Sequence, residues 1–145
     1  MSKKSLFFWI DIALFVVLIA TIFTVSMDLF SHTNIHVFLG LILCAGALLH
    51  LGLHWKWIKS TTQRYDRLSA TVRSNARINL GLFITYLLCG GIGLSARINP
   101  VPHHHHVFYG VIHVILAVLV LILQATHIQR HWKWIKAVAP KKAEA

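Results

Sequence analysis

Four apolar runs limit what this chain can fold into, and they are Leu6–Met27, Ile35–Leu53, Ile78–Leu94 and Val107–Gln129. A bilayer core of about 30 Å is crossed by about 20 apolar residues in a helix, and about 17 is the lower limit. The chain is 57% hydrophobic and only 12% charged, which is unlike an ordinary soluble domain. The first run is too long for a removable signal peptide. The sequence therefore predicts an all-α membrane protein, a bundle of four transmembrane helices.

The basic residues lie on one side of this predicted bundle. The chain has 14 Lys and Arg residues against 4 Asp and Glu, which gives a formal net charge of +10. All of the basic residues except Arg97 precede the first run, separate the second from the third, or follow the fourth. The positive-inside rule places this side, and with it both chain termini, in the cytoplasm. Because orientation accounts for the charge, no nucleic-acid partner is predicted.

The hexapeptide HWKWIK occurs twice, at His54–Lys59 and at His131–Lys136. Tryptophan and lysine at the end of an apolar helix are typical of the lipid headgroup layer. Two such anchors indicate a parallel repeat of two helical hairpins, at about residues 6–59 and 78–136. The hairpins are predicted to form one domain over residues 1–138, followed by a disordered basic tail at residues 139–145.

Histidines precede both anchors at the same spacing, 77 residues apart in the sequence: His36 and His50 in the first hairpin, His113 and His127 in the second. Fourteen helical residues turn about 1400°, close to four full turns, and rise about 21 Å. Each helix therefore carries two histidines on one face at two depths. We name His36 and His113 the outer pair, and His50 and His127 the inner pair, after the predicted orientation.

A histidine inside a membrane needs a partner and is a candidate functional residue. Two neutral imidazoles from facing helices can bind iron from both sides of a flat macrocycle. The two pairs therefore predict two non-covalent b-type haems, about 20 Å apart across the bilayer. The axial ligands of their iron are predicted to be His36, His50, His113 and His127. Gly40 and Gly110, near the outer pair, serve either the approach of the macrocycle or helix packing.

Other chemistry has little support in the sequence. There is no CxxCH motif for covalent haem, and Cys44 and Cys89 are predicted to be small buried residues. The absence of HExxH, GxSxG and a Gly-rich phosphate loop argues against hydrolysis and group transfer. The alternative function is a histidine-lined transporter or sensor of a transition metal. It would use the HxxxH pairs His32/His36, His50/His54 and His127/His131.

The histidine pattern also resembles a known family. H-x13-H on two parallel helices resembles the di-haem core of cytochrome b in the quinol–cytochrome c reductases. The first hairpin, HVFLGLILCAGALLHLGLHWKW, is more similar to the small four-helix flavinylation-associated cytochromes, whose pattern is HxxxG, then H, then HxxxHW. The resemblance covers nearly the whole chain. In the second hairpin HVFYG begins at His106, seven residues further from its anchor, so this alignment pairs His36 with His106. Equal depth in the membrane favours His113 as the partner of His36, because His106 would lie about 10 Å further out than His36.

The resemblance implies electron transfer across a prokaryotic plasma (inner) membrane. The donor would be cytoplasmic or a quinol, and the acceptor would be extracytoplasmic, such as a flavin-bearing protein. A quinone is a further candidate cofactor. Membrane lipid is an expected partner, and an oligomer is compatible with the sequence.

Several polar residues keep more than one interpretation. His54 and His131 are alternative ligands, contacts for haem propionates or a quinone, or interfacial polar residues. Asp11, an acid well inside an apolar run, either pairs with a nearby basic group or relays protons. Arg97 either holds propionates of the outer haem or is a loop charge. The role of His32 stays open. The basic groups expected near Asp11 are His54, Lys56, Arg130 and His131. The histidines His103–His106, predicted to lie in the outer loop before the fourth helix, either bind a surface metal or buffer protons, or form a polar helix start.

Overall fold

Helices form nearly all of the part of the chain that the computed structural model describes, residues 3–31, 34–98 and 103–139. A short 3-10 turn at Tyr65–Arg67 precedes the helix that begins at Ala70. The described residues form no β-strand. The α-helices in chain order are α1 (Lys3–Ser31), α2 (Ile35–Leu53), α3 (Trp55–Gln63), α4 (Ala70–Ile98) and α5 (His103–Val138).

Four of the helices are long and apolar enough to cross a membrane, which confirms the predicted all-α membrane bundle. The spans are Ser5–Val25, Ile35–Leu53, Ala70–Ile98 and Val107–Val138. Two of them are longer than the apolar runs indicated: α4 begins at Ala70 instead of Ile78, and α5 extends past Gln129 to Val138. The added segments contain neither glycine nor proline, so nothing in them ends a helix.

The two copies of HWKWIK differ in local structure. In the first copy, α2 ends at Leu53 and α3 begins at Trp55, with His54 between them at φ −91° and ψ 6°. The second copy lies within the continuous helix α5. The chain has to reverse direction after the first copy in order to enter α4, which accounts for the break at His54. Trp55 and Trp132 are both exposed, as the headgroup anchors require.

The packing of the helices confirms the two hairpins. Helix α1 packs along α2, and α4 packs along α5. Smaller contacts join α2 to α4 and α1 to α5. This order places α2 and α5 at diagonal corners of the bundle, and within the described residues these two helices do not pack along each other. The histidines of both pairs therefore come from diagonally opposed helices.

An apolar layer lies halfway between the two histidine pairs. It contains one buried residue from each transmembrane helix: Leu18, Leu43, Leu82 and Val120. Leu43 lies seven residues after His36 and seven before His50, and Val120 has the same position between His113 and His127. Seven residues are about two helical turns, so each of these residues shares a face with its histidines. Most large apolar side chains outside this layer are exposed, as expected for helices that face lipid.

Candidate functional site

The outer pair meets across the centre of the bundle. The ring centroids of His36 on α2 and His113 on α5 lie 6.0 Å apart, with an interplanar angle of 81°. An imidazole nitrogen lies about 2 Å from a metal ion that it binds, so two rings on opposite sides of one ion have centroids roughly 6 Å apart. The structure thus brings together the two histidines that the anchors place at equal depth, at a separation that suits two axial ligands.

The hydrogen bonds of the outer pair fix which ring nitrogen can bind a metal. Nδ1 of His36 donates to the main-chain oxygen of Thr21 at 2.8 Å. Nδ1 of His113 donates to the main-chain oxygen of Cys89 at 2.9 Å. A carbonyl oxygen can only accept, so the hydrogen of each ring is on Nδ1 and the lone pair is on Nε2. Metal-binding histidines are commonly oriented by a bond of this kind.

A glycine makes room for the His113 ring. A Cβ added at Gly93 would lie 2.8 Å from Cε1 and 3.0 Å from Nδ1 of His113. Gly93 follows Cys89 by one helical turn, so α4 contacts the same ring with a carbonyl acceptor and with a residue that lacks a side chain. The third apolar run is rich in glycine (Gly81, Gly90, Gly91 and Gly93), but sequence reasoning did not connect any of these glycines with His113. The four-residue spacing of Cys89 and Gly93 is a weak signal of this contact.

The inner pair has the same kind of hydrogen bonding. Nδ1 of His50 lies 3.0 Å from the carboxylate Oδ1 of Asp11. Nδ1 of His127 donates to the side-chain oxygen of Asn79 at 2.9 Å. In both cases the acceptor lies on the first helix of the same hairpin, as it does for the outer pair. All four predicted ligands therefore have Nδ1 directed to an acceptor, which leaves Nε2 as the nitrogen that can bind a metal.

The acceptors repeat along the chain as the histidines do. Asp11 and Asn79 are separated by 68 residues, and so are Thr21 and Cys89. Sequence reasoning missed this second repeat because residue types differ between the hairpins and two of the acceptors are main-chain atoms. It also gave Asp11 the wrong partners: the structure pairs Asp11 with His50, which was not among the basic groups expected. Of those groups, Arg130 instead donates to Asn75 at 2.9 Å.

His54 and His131 form a further layer at the anchor side of the bundle. Each stacks on the histidine one turn before it, His50 or His127, with centroids 4.6 Å apart and a tilt of 39° in both hairpins. Nε2 of His131 is buried and has no hydrogen-bond partner among the described residues. His54 lies just beyond its membrane span, where burial lowers its pKa, His50 lowers it further, and Asp11 opposes the shift.

Open space lies beside Gly40 and Gly110, the two glycines that the sequence places near the outer pair. A Cβ added at Gly40 or Gly110 would meet nothing within 4 Å, so neither glycine serves close helix packing in the described part of the chain. The imidazole donor set, the open surface at both glycines and the ring separation together fit a b-type haem with two histidine ligands.

Some predicted residues are not part of this arrangement. Helix α5 begins at His103, so the segment His103–His106 is helical rather than an outer loop. The side chain of His106, the rival ligand, lies outside the described residues, as do His32 and tail residues 140–145. Arg97 is exposed in the last turn of α4. Over the described ranges, no three His, Cys, Asp or Glu side chains converge so as to hold a metal ion.

These observations define the chain as an all-α multi-pass membrane protein with two layers of oriented histidines. No protein-family model matches it, and neither curated proteins nor solved structures give a significant match. The interpretation of the histidines therefore depends on their chemistry and geometry alone.

Proposed function

We propose that this protein is a b-type cytochrome that carries electrons across a membrane, with two haems each bound by two histidines. The observation that carries this proposal is the shared orientation of the four imidazoles. Each has its Nδ1 hydrogen on an acceptor from the neighbouring helix, and each helix presents its two rings on one face about 21 Å apart. Haem, when bound, supplies reversible one-electron chemistry.

The chain's own residues have definite tasks in this proposal. His36 and His113 hold the outer haem, and His50 and His127 hold the inner one. Thr21, Cys89, Asp11 and Asn79 orient these rings through Nδ1. The apolar layer around Leu43 and Val120 separates the two sites and excludes water from the space between them.

We expect electrons to enter at the inner pair and to leave at the outer pair. The donor in this proposal is a cytoplasmic reductant or a quinol, and the acceptor is an extracytoplasmic protein such as a flavoprotein. The basic residues around both anchors support the orientation that this proposal assumes, with that end and both termini in the cytoplasm of a prokaryotic inner membrane. In oriented vesicles, an impermeant oxidant added outside should drain both haems. A system that only an inside oxidant drains would contradict this direction.

A quinol donor has some structural support. A cleft of about 370 Å³ opens between α1 and α5 in the half of the bundle nearer the inner pair. It is almost entirely apolar, with Phe15, Leu121 and Ile128 in its lining, and Gln124 is among its few polar residues. Such a lining suits an apolar molecule that arrives from the lipid.

Spectra of the purified full-length protein test the function directly. A red protein with a sharp reduced b-type spectrum and two haems per chain by pyridine haemochrome analysis is the expected result. A reproducible ratio near one would contradict the two-site assignment. A colourless protein that retains zinc would contradict the cytochrome and support the transition-metal transporter or sensor.

A further inference from the structure

We propose that Asp11 holds the inner site at a lower reduction potential than the outer site. Asp11 would act as a positioning residue, because it contacts the ligand His50 and not the haem. This inference rests on the proposed function and adds a difference between the two sites that the sequence pattern does not contain.

The basis is a comparison of the four acceptors. The distances from Nδ1 to the acceptor oxygen are 2.8 Å for His36, 2.9 Å for His113 and His127, and 3.0 Å for His50. The separations are nearly equal, so the chemical type of the acceptor is what distinguishes them. Two acceptors are main-chain carbonyls and one is the neutral amide of Asn79. Only His50 is bonded to a carboxylate.

A carboxylate changes the ligand more than a neutral acceptor does. By attracting the Nδ1 hydrogen it makes Nε2 a stronger electron donor toward a metal. Its negative charge also favours the more positive, oxidised state of a nearby iron. Asp11 is 36% exposed, so solvent screens part of this charge, but the hydrogen bond to His50 does not depend on that screening. Both effects lower the reduction potential of the inner site.

This order of reduction potentials gives electron transfer through the protein a direction. An electron has a higher free energy on the inner site than on the outer site, so its transfer from the anchor side to the opposite side of the membrane is favourable. The second hairpin supplies the neutral counterpart within the same chain, because Asn79 lies at the position equivalent to Asp11 and bonds the other inner ligand.

The test is a redox titration of the full-length haem-loaded protein, followed by absorbance. Asp11→Asn gives His50 the acceptor that His127 already has. The expected result is a rise in the inner-site potential with the outer one unchanged. A tenfold weaker preference of the inner site for oxidised over reduced iron would appear as a rise of about 59 mV. Asp11→Glu should keep the low potential. Asp66→Asn removes a carboxylate charge in the 3-10 turn instead, and it should change the reduction potential of neither site.

A second variant keeps the proposal testable if Asp11→Asn fails to fold. Asn79→Asp adds a carboxylate to His127 and should lower the inner potential further. A His113→Ala background removes the outer haem and isolates the inner signal. Unchanged potentials in Asp11→Asn or Asn79→Asp protein that retains both haems would overturn this inference and leave the cytochrome proposal intact. Wild-type protein that binds no haem would overturn the proposed function itself.

Discussion

The ring centroids of His36 and His113 lie 6.0 Å apart across the bundle at an interplanar angle of 81°, and each Nδ1 is bonded to a main-chain carbonyl of the adjacent helix. The two residues are 77 positions apart in the sequence and belong to helices that do not otherwise pack along each other in the described structure. Their juxtaposition is thus a product of the whole bundle, in which α1 and α4 orient rings carried by α2 and α5.

The first prediction concerns the ligand pairs. His36→Ala and His113→Ala should each remove the same outer haem, since one remaining imidazole cannot fill both axial positions. The haem content should fall from two to one per chain, and the remaining low-spin spectrum should be identical in the two variants. His50→Ala and His127→Ala should both remove the inner haem.

His106→Ala is the decisive control for this assignment. It should leave both spectra intact, as should His54→Ala and His131→Ala, although the last two contact the inner ligands and are expected to shift potentials. If His106→Ala instead abolishes the outer haem while His113→Ala retains it, the pairing by depth is wrong.

The second prediction concerns the glycine beside His113. Gly93→Ala should displace the His113 ring, because the added Cβ would come within 2.8 Å of Cε1. The outer haem should be lost about tenfold faster than from the wild type, measured as haem transfer to an apo-globin acceptor. Gly91→Ala is the matched control, since its Cβ would meet nothing within 4 Å. Equal haem loss from both variants would show that a general effect of the substitution on α4 is responsible.

The third prediction concerns the amide that orients His127. Asn79→Leu removes the acceptor of Nδ1 and leaves the ring without its orienting bond. The inner haem should be lost about tenfold faster than from the wild type, while the outer one is unaffected. Asn75→Leu, on the same helix, removes an exposed bond to Arg130 and should change neither haem. Inner-haem loss that is unchanged in Asn79→Leu would mean that Asn79 does not orient the ligand.

The fourth prediction concerns the apolar layer between the two sites. Leu43→Ala should lower the free energy of unfolding by about 2 kcal/mol, because Leu43 is buried at 6% exposure and packs with one residue from each other transmembrane helix. Leu48→Ala on the lipid-facing side of α2 is the control and should change stability little. Thermal unfolding in detergent compares the two. A smaller loss from Leu43→Ala than from Leu48→Ala would place the core elsewhere.

Much of the fold could be predicted from the sequence. The four membrane spans, their grouping into two hairpins and the face that each histidine occupies all follow from apolar length and helical periodicity, which are properties of single segments. The ends of α4 and α5 could not be predicted, because polar residues such as those of 70–77 and 130–138 continue a helix as readily as they leave it. The break at His54 depends on where the chain has to turn toward α4.

The candidate site was predictable only in part, for a physical reason. The spacing to the two HWKWIK anchors sets the depth of His36, His50, His113 and His127, because rise per residue in a helix is constant. The acceptor of each Nδ1 depends on how neighbouring helices are rotated and shifted against one another, and no single helix encodes that register. A main-chain carbonyl such as that of Thr21 also leaves no mark in the sequence. The sequence by itself therefore determined which histidines share a level, and the tertiary structure decided that Asp11 bonds His50 and that Gly93 admits the ring of His113.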